Sequence, residues 1–186
     1  MNLRDSLILL AATAIVSGFL VPFVLKRIDS QREAQAKDRD LKRVRRDRLI
    51  DAQVAFLDRL TETLWSWRYL VMRITYYGGI ADEQGFEKAR QAYNEKFWFS
   101  LNEIRVEISK SSRLVSTRVL EDLRGFYNSI VALDRDLLSA AAIEDVVERR
   151  MTYMDLNHKV FGEISDQIDN LLSKVADDLH LSKKTV

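Results

Sequence analysis

Hydrophobic residues in this chain follow two patterns: one unbroken apolar run near the start and, beyond residue 49, apolar positions recurring every three and four residues. The run SLILLAATAIVSGFLVPFVL, residues 6–25, holds no charged side chain over 20 positions. At 1.5 Å per residue such a helix spans about 30 Å, the thickness of a bilayer's hydrocarbon core. It is expected to be a transmembrane helix behind a short tail, residues 1–5. The rival is a cleaved signal peptide, since Ala12-Thr13-Ala14 has a small-x-small pattern. The run continues well past that triplet, and its only preceding base, Arg4, is offset by Asp5, so the anchor reading is preferred. Pro22 falls in the last turn of the run, where membrane helices tolerate proline.

From residue 49 the periodicity is helical. Ile50, Leu57, Leu64 and Val71 recur by sevens with Leu60, Trp67 and Ile74 beside them, an a/d seam that Gly78-Gly79 ends. Asp82 is an expected N-cap for a second helix carrying Phe86, Tyr93, Phe97, Leu101, Ile104 and Ile108 on one face. A third is expected to start at Ser116 as its cap, with Leu120, Leu123, Tyr127, Ile130, Leu133 and Leu137. A fourth shows Val147, Met154, Phe161, Ile168 and Val175 at sevens, with Ile143, Ile164 and Leu171 alongside. The spacing predicts helices over about 49–77, 83–112, 116–139 and 143–179, followed by a tail, 180–186. Short connections favour antiparallel neighbours. The expected fold is all-α: an N-terminal transmembrane helix continuing through a charged helical stalk, 26–48, into an antiparallel up-down four-helix bundle, 49–179. The weakest boundary is Ser139-Ala140-Ala141-Ala142, which lacks a breaker; were it helical, helices three and four would fuse and a second copy would be needed to complete the bundle.

Charge changes the picture through its distribution. The chain's net charge is +1. Yet residues 26–48 hold ten Lys or Arg against five Asp or Glu, and residues 49–186 hold 18 against 22. Basic residues close to a span stay on the cytoplasmic side, so the expected location is the cell membrane, single-pass, with the soluble domain in the cytoplasm. Attraction to anionic lipid fades within about 8 to 10 Å, which puts Lys26, Arg27 and Arg32 at the membrane surface. The denser stalk cluster Lys42, Arg43, Arg45, Arg46 and Arg48 stands farther out along a helix of about 35 Å. Because the fourth helix is longer than the first above the stalk, Asp177 and Asp178 are expected beside Lys42 to Arg46. Nucleic acid is not an expected partner, because acids interrupt the basic run and the following domain is acidic.

Candidate chemistry is sparse. With no cysteine, disulfides, thiolate metal sites and cysteine nucleophiles are excluded. The sequence has no glycine-rich phosphate loop, GxSxG elbow or HExxH, and no cofactor is implied. Asp155-x-x-His158 and Asp177-x-x-His180 echo the spacing of di-iron bundles. Both lie on one predicted helix about 33 Å apart and cannot share a site within one chain. Glu103 and Glu107 read as a charged helix margin. Arg150 and Asn157 occupy seam positions of the fourth helix, where polar residues can fix register or oligomer state, although Arg150 can also snorkel from an edge. Trp65, Tyr69, Trp98 and Phe99 lie off the strict seams and are the candidate partner surface, the alternative being one wide apolar stripe inside a monomer. The expected function is a non-enzymatic membrane-anchored scaffold or adaptor that binds a protein partner or another copy. The alternative is a membrane-tethered sensor whose bundle couples a ligand to the transmembrane helix.

Overall fold

The structure is a computed structural model that describes residues 21–181. Every element in that range is helical: α1 (Val21–Gly79), α2 (Glu83–Ser111), α3 (Thr117–Ala141), α4 (Val146–Lys159), a π-helical turn (Val160–Ile164) and α5 (Ser165–Asp178). The contacts divide the chain into two units, residues 1–51 and 52–186. Of the apolar run at 6–25, residues 6–20 lie outside the described residues. No helix among the described residues is long and apolar enough to cross a membrane.

In the first unit the stalk is a solvated helix. Lys26, Arg27, Arg32, Lys42, Arg43, Arg45, Arg46 and Arg48 are all exposed, and Lys42 pairs with Asp38 at 2.7 Å, one turn away. An exposed i,i+4 pair of this kind contributes only about 0.3–0.5 kcal/mol. The stalk helix therefore rests on propensity and continuity with its neighbours: α1 runs without a break through residues 26–48.

The second unit is a helical bundle, and its cross-links reveal the packing order. Tyr93 on α2 donates its hydroxyl to Asp134 on α3 at 2.8 Å. Lys159 reaches Asp136 at 3.5 Å and Lys174 reaches Asp122 at 2.8 Å, so α4 and α5 descend as α3 ascends. Asn157 and Ser165 meet Thr75 and Arg68 of α1 in the same antiparallel sense. The core is built from seam residues: Leu60, Leu64, Trp67, Val71 and Ile74 on α1, Tyr93, Phe97, Leu101, Ile104 and Ile108 on α2, and Leu123, Ile130, Leu133 and Leu137 on α3 are buried. Trp67 meets Phe126 edge-on across the bundle at 6.2 Å. Burial of the Tyr93 ring and its bond to the Asp134 carboxylate both hold the phenol in its protonated form, well above the ordinary tyrosine range.

Local chemistry explains the helix ends. Asp82 caps α2 by accepting from the Gly85 N–H at 2.8 Å. Helices three and four are separate: α3 stops at Ala141, and Asp145 caps α4 by accepting from the Glu148 N–H at 2.8 Å. Asp145-x-x-Glu148 has the capping-box spacing, a helix-start signal in the sequence beyond the alanine run. Ser116 precedes α3, but its side chain makes no cap bond; its backbone N–H instead donates to the Asp178 carboxylate at 2.6 Å. Asp178 thus ties the end of α5 to the start of α3.

The fourth helix departs from its heptads. A π turn holds one residue more than an α turn, so the residues before it are rotated by about 100° relative to a straight helix. Ile164, Ile168, Leu171 and Val175 are buried as the sevens predict. Ahead of the turn and at its start the predicted seam residues Val147, Met154 and Phe161 are exposed, and Tyr153, Leu156 and Val160 are buried in their place.

Tyr153 also explains why α1 ends in glycines. A Cβ on Gly78 would stand 2.5, 2.6 and 2.8 Å from three atoms of the Tyr153 ring, so only glycine lets the ring lie against the backbone. Gly125, on exposed α3 backbone, has nothing within 4 Å of its Cβ position. Gly78→Ala is expected to lower unfolding free energy by about 1–3 kcal/mol through overpacking. Gly125→Ala is expected to raise it by about 0.5–1 kcal/mol through reduced chain entropy. Urea denaturation of the two variants beside the parent checks both signs.

Candidate functional site

The π turn exposes carbonyls that an α-helix would satisfy, and Ser165 sits where it can bond them. Its Oγ lies 2.6 Å from the Phe161 oxygen and 3.0 Å from that of Val160. With one proton, the hydroxyl donates to one carbonyl at a time, and its lone pairs accept from Arg68 Nε at 2.7 Å. Arg68 crosses from α1 to the π turn, and its guanidinium lies 5.0 Å from the Trp65 ring centre and 5.8 Å from that of Phe161. These distances are within cation-π range. One arginine thus bonds Ser165 beside the turn and lies near two aromatic rings, one on α1 and one in the turn itself.

Around this cluster two apolar flanks run side by side. On α1, Trp65, Tyr69, Met72 and Tyr76 are spaced by four, three and four, and Arg73 lies over the Tyr69 ring at 5.8 Å. Facing it are Met154 of α4 and Phe161 of the π turn, with Val147 and Met151 exposed earlier on α4. Met154 packs so close to α1 that a Cβ on Gly79 would meet its Cγ at 2.7 Å. Phe161 is 67% exposed and Tyr69 54%, whereas Trp65 and Met72 are half-buried against the core. The result is a broad aromatic and methionine surface edged by arginine, the composition enriched at protein interfaces.

Of the four aromatic residues singled out from sequence, two lie on α1 and two on α2. Trp65 and Tyr69 belong to the α1/α4 face. Trp98 and Phe99 are exposed on α2, and as successive helical residues they point about 100° apart. Phe161, Met154 and Arg68 were missed. Asn157 lies at the α1/α4 seam, donating its amide to Thr75 Oγ1 at 2.9 Å and approaching the Met72 carbonyl at 3.3 Å. Thr75 is fully buried and donates to the Val71 carbonyl at 3.0 Å, so the polar pair is satisfied inside the interface. Arg150 is half-buried beside Tyr77, Asp82 and Tyr153 at a void of about 30 Å³, room for a water or two. Glu107 is no solvated margin: it is buried between α1 and α2 and held by Lys110 at 2.7 Å, while Glu103 stays exposed.

The histidines serve no shared centre. His158 is exposed on α4. His180 adopts the left-handed backbone, φ 58°, that closes α5, letting the Leu181 N–H bond the Ala176 carbonyl at 2.8 Å. Among the described residues no three His, Asp or Glu side chains are grouped to hold a metal ion. No protein-family model matches the chain, and no curated protein or solved structure is detectably similar to it.

Ser165→Ala removes a carbonyl donor and the acceptor of Arg68 together. Because the bonds are only partly buried, the expected loss is about 1 kcal/mol. Faster amide exchange confined to the π turn and its flanks, with the far ends of α2 and α3 unchanged, would identify the turn as the place where it is lost.

Proposed function

We propose that the chain is a non-enzymatic, membrane-anchored helical scaffold that presents its bundle in the cytoplasm and docks a protein partner or another copy on the α1/α4 face. The observation that carries the docking role is that Phe161, beside Arg68 of α1, and Met154, packed against Gly79, are exposed, as are Tyr69 and Tyr76 on α1. Contiguous exposed apolar patches mark contact surfaces. The satisfied Asn157–Thr75 pair makes the α1/α4 interface a fixed platform for that surface, because a buried polar pair holds one register. Membrane attachment rests on the uncharged residues 6–25, and a cytoplasmic bundle on the basic residues that follow them.

The test uses the full-length chain in lipid nanodiscs. Tyr69→Ser combined with Phe161→Ser is expected to leave helicity intact and abolish association, measured by light scattering and by co-purification under identical conditions. A parent chain that is monomeric and co-purifies with nothing, or association that survives both substitutions, would contradict the docking role. Extraction of the chain from membranes by alkaline carbonate would contradict the anchor.

A further inference from the structure

The groove between α2 and α3 is lined by two arginines. It has a volume of about 430 Å³, within the range of small-molecule sites. Arg105 and Ser109 of α2, with Ser112 just beyond its end, face Arg124, Tyr127 and Asn128 of α3 over a floor containing Ile108. No carboxylate lines it. The groove between α1 and α2 is of similar volume, about 420 Å³, yet there Arg59 and Lys110 are balanced by Glu62, Glu103 and Glu107. Two other cations between helices are neutralised, Lys174 by Asp122 and Lys159 by Asp136. Among the described residues neither Arg105 nor Arg124 is in an ion pair. Two unneutralised arginines thus share one concave site in a region, residues 49–186, that carries more acids than bases.

The helix ends do not explain this arrangement. A cation complements a helix carboxyl end only within the last turn, the place Lys110 occupies in α2. Arg105 is more than a turn away from that end, and Arg124 lies well inside α3. The chemistry of the lining is that of oxyanion recognition. Guanidinium groups bind phosphate oxygens through paired N–H donors, and serine, tyrosine and asparagine side chains can supply more. Ile108 and the Tyr127 ring offer apolar contact beside them.

We propose that this groove binds a phosphate monoester carrying an apolar body, held by Arg105 and Arg124. A soluble aryl or alkyl phosphate and the headgroup of a phosphatidate lipid share that chemistry. The site is independent of the α1/α4 docking face, so either assignment can fail without the other.

Isothermal titration of the full-length chain in a non-ionic detergent tests it, with phenyl phosphate, inorganic phosphate, dihexanoyl phosphatidate and phenol as probes. Phosphate monoesters are expected to bind, more weakly as salt is raised, and phenol not to bind. Arg105→Gln with Arg124→Gln is expected to weaken binding at least about tenfold at unchanged helicity, because both side chains are exposed. Arg59→Gln, in the neighbouring groove, is expected to leave affinity unchanged. Tighter binding of the phosphatidate would assign the site to a lipid headgroup, and equal or tighter binding of phenyl phosphate to a soluble ester; both support the proposal. No binding of any phosphate probe at millimolar concentration, affinity that survives the double substitution, or phenol binding as tightly as phenyl phosphate would overturn it.

Discussion

The extra residue in the turn at Val160–Ile164 sets the direction of every side chain on α4, and with it the composition of both the core and one outer face. Rotating that helix by about 100° relative to a straight continuation of α5 turns Val160 and Tyr153 inward and Phe161 and Met154 outward. A π turn leaves backbone groups without their α-helical partners, which is costly unless other donors are supplied. Ser165 supplies one, and Arg68 fixes Ser165 from the neighbouring helix. The geometry of the turn and the aromatic cluster beside it therefore depend on the same few side chains.

With Tyr153 turned inward, its ring occupies the space that Gly78 leaves open, which sets how closely α1 and α4 approach. Asn157 follows one turn later and bonds buried Thr75, fixing the register of the same pair of helices. An alternative register would strand a buried hydroxyl and an amide, each at a cost of about 1–3 kcal/mol. The buried indole N–H of Trp67 has no acceptor among the described residues, so the centre of the bundle is held by packing, including the edge-on contact with Phe126.

The helices and most of the core were legible in the sequence because burial follows period on α2, α3 and α1 from Leu60 onward; nearer the stalk Ile50 is exposed, Leu57 half-buried and Phe56 buried in its place. On α4 the sequence carries adjacent apolar pairs at Val146-Val147, Tyr153-Met154 and Val160-Phe161, seven residues apart. Two neighbouring stripes are written there, and periodicity alone cannot say which faces inward; the straight-helix count chose the wrong one. Asp145-x-x-Glu148 did mark the break between helices three and four, but the alanines before it resembled uninterrupted helix. Half of the predicted aromatic surface, Trp65 and Tyr69, lies on the α1/α4 face. Phe161 was missed because it had been counted as core; Trp98 and Phe99 are exposed on α2, and sequence proximity within an aromatic cluster carries no information about which helix is adjacent.

The proposed docking role draws on this arrangement. A bundle whose seams were all satisfied would offer a partner little beyond scattered polar side chains. Here the residue inserted into one helix displaces a second apolar stripe to the surface, beside the aromatic flank of α1. The chain contains no cysteine, so single thiols can be placed without background. The most direct measurement compares thiol labelling rates of the full-length chain carrying Val160→Cys, Phe161→Cys or Met154→Cys, one at a time. The thiols at 161 and 154 should react orders of magnitude faster than the one at 160. Rapid labelling at 160 with protection at 161 and 154 would mean a straight helix, and would contradict the account.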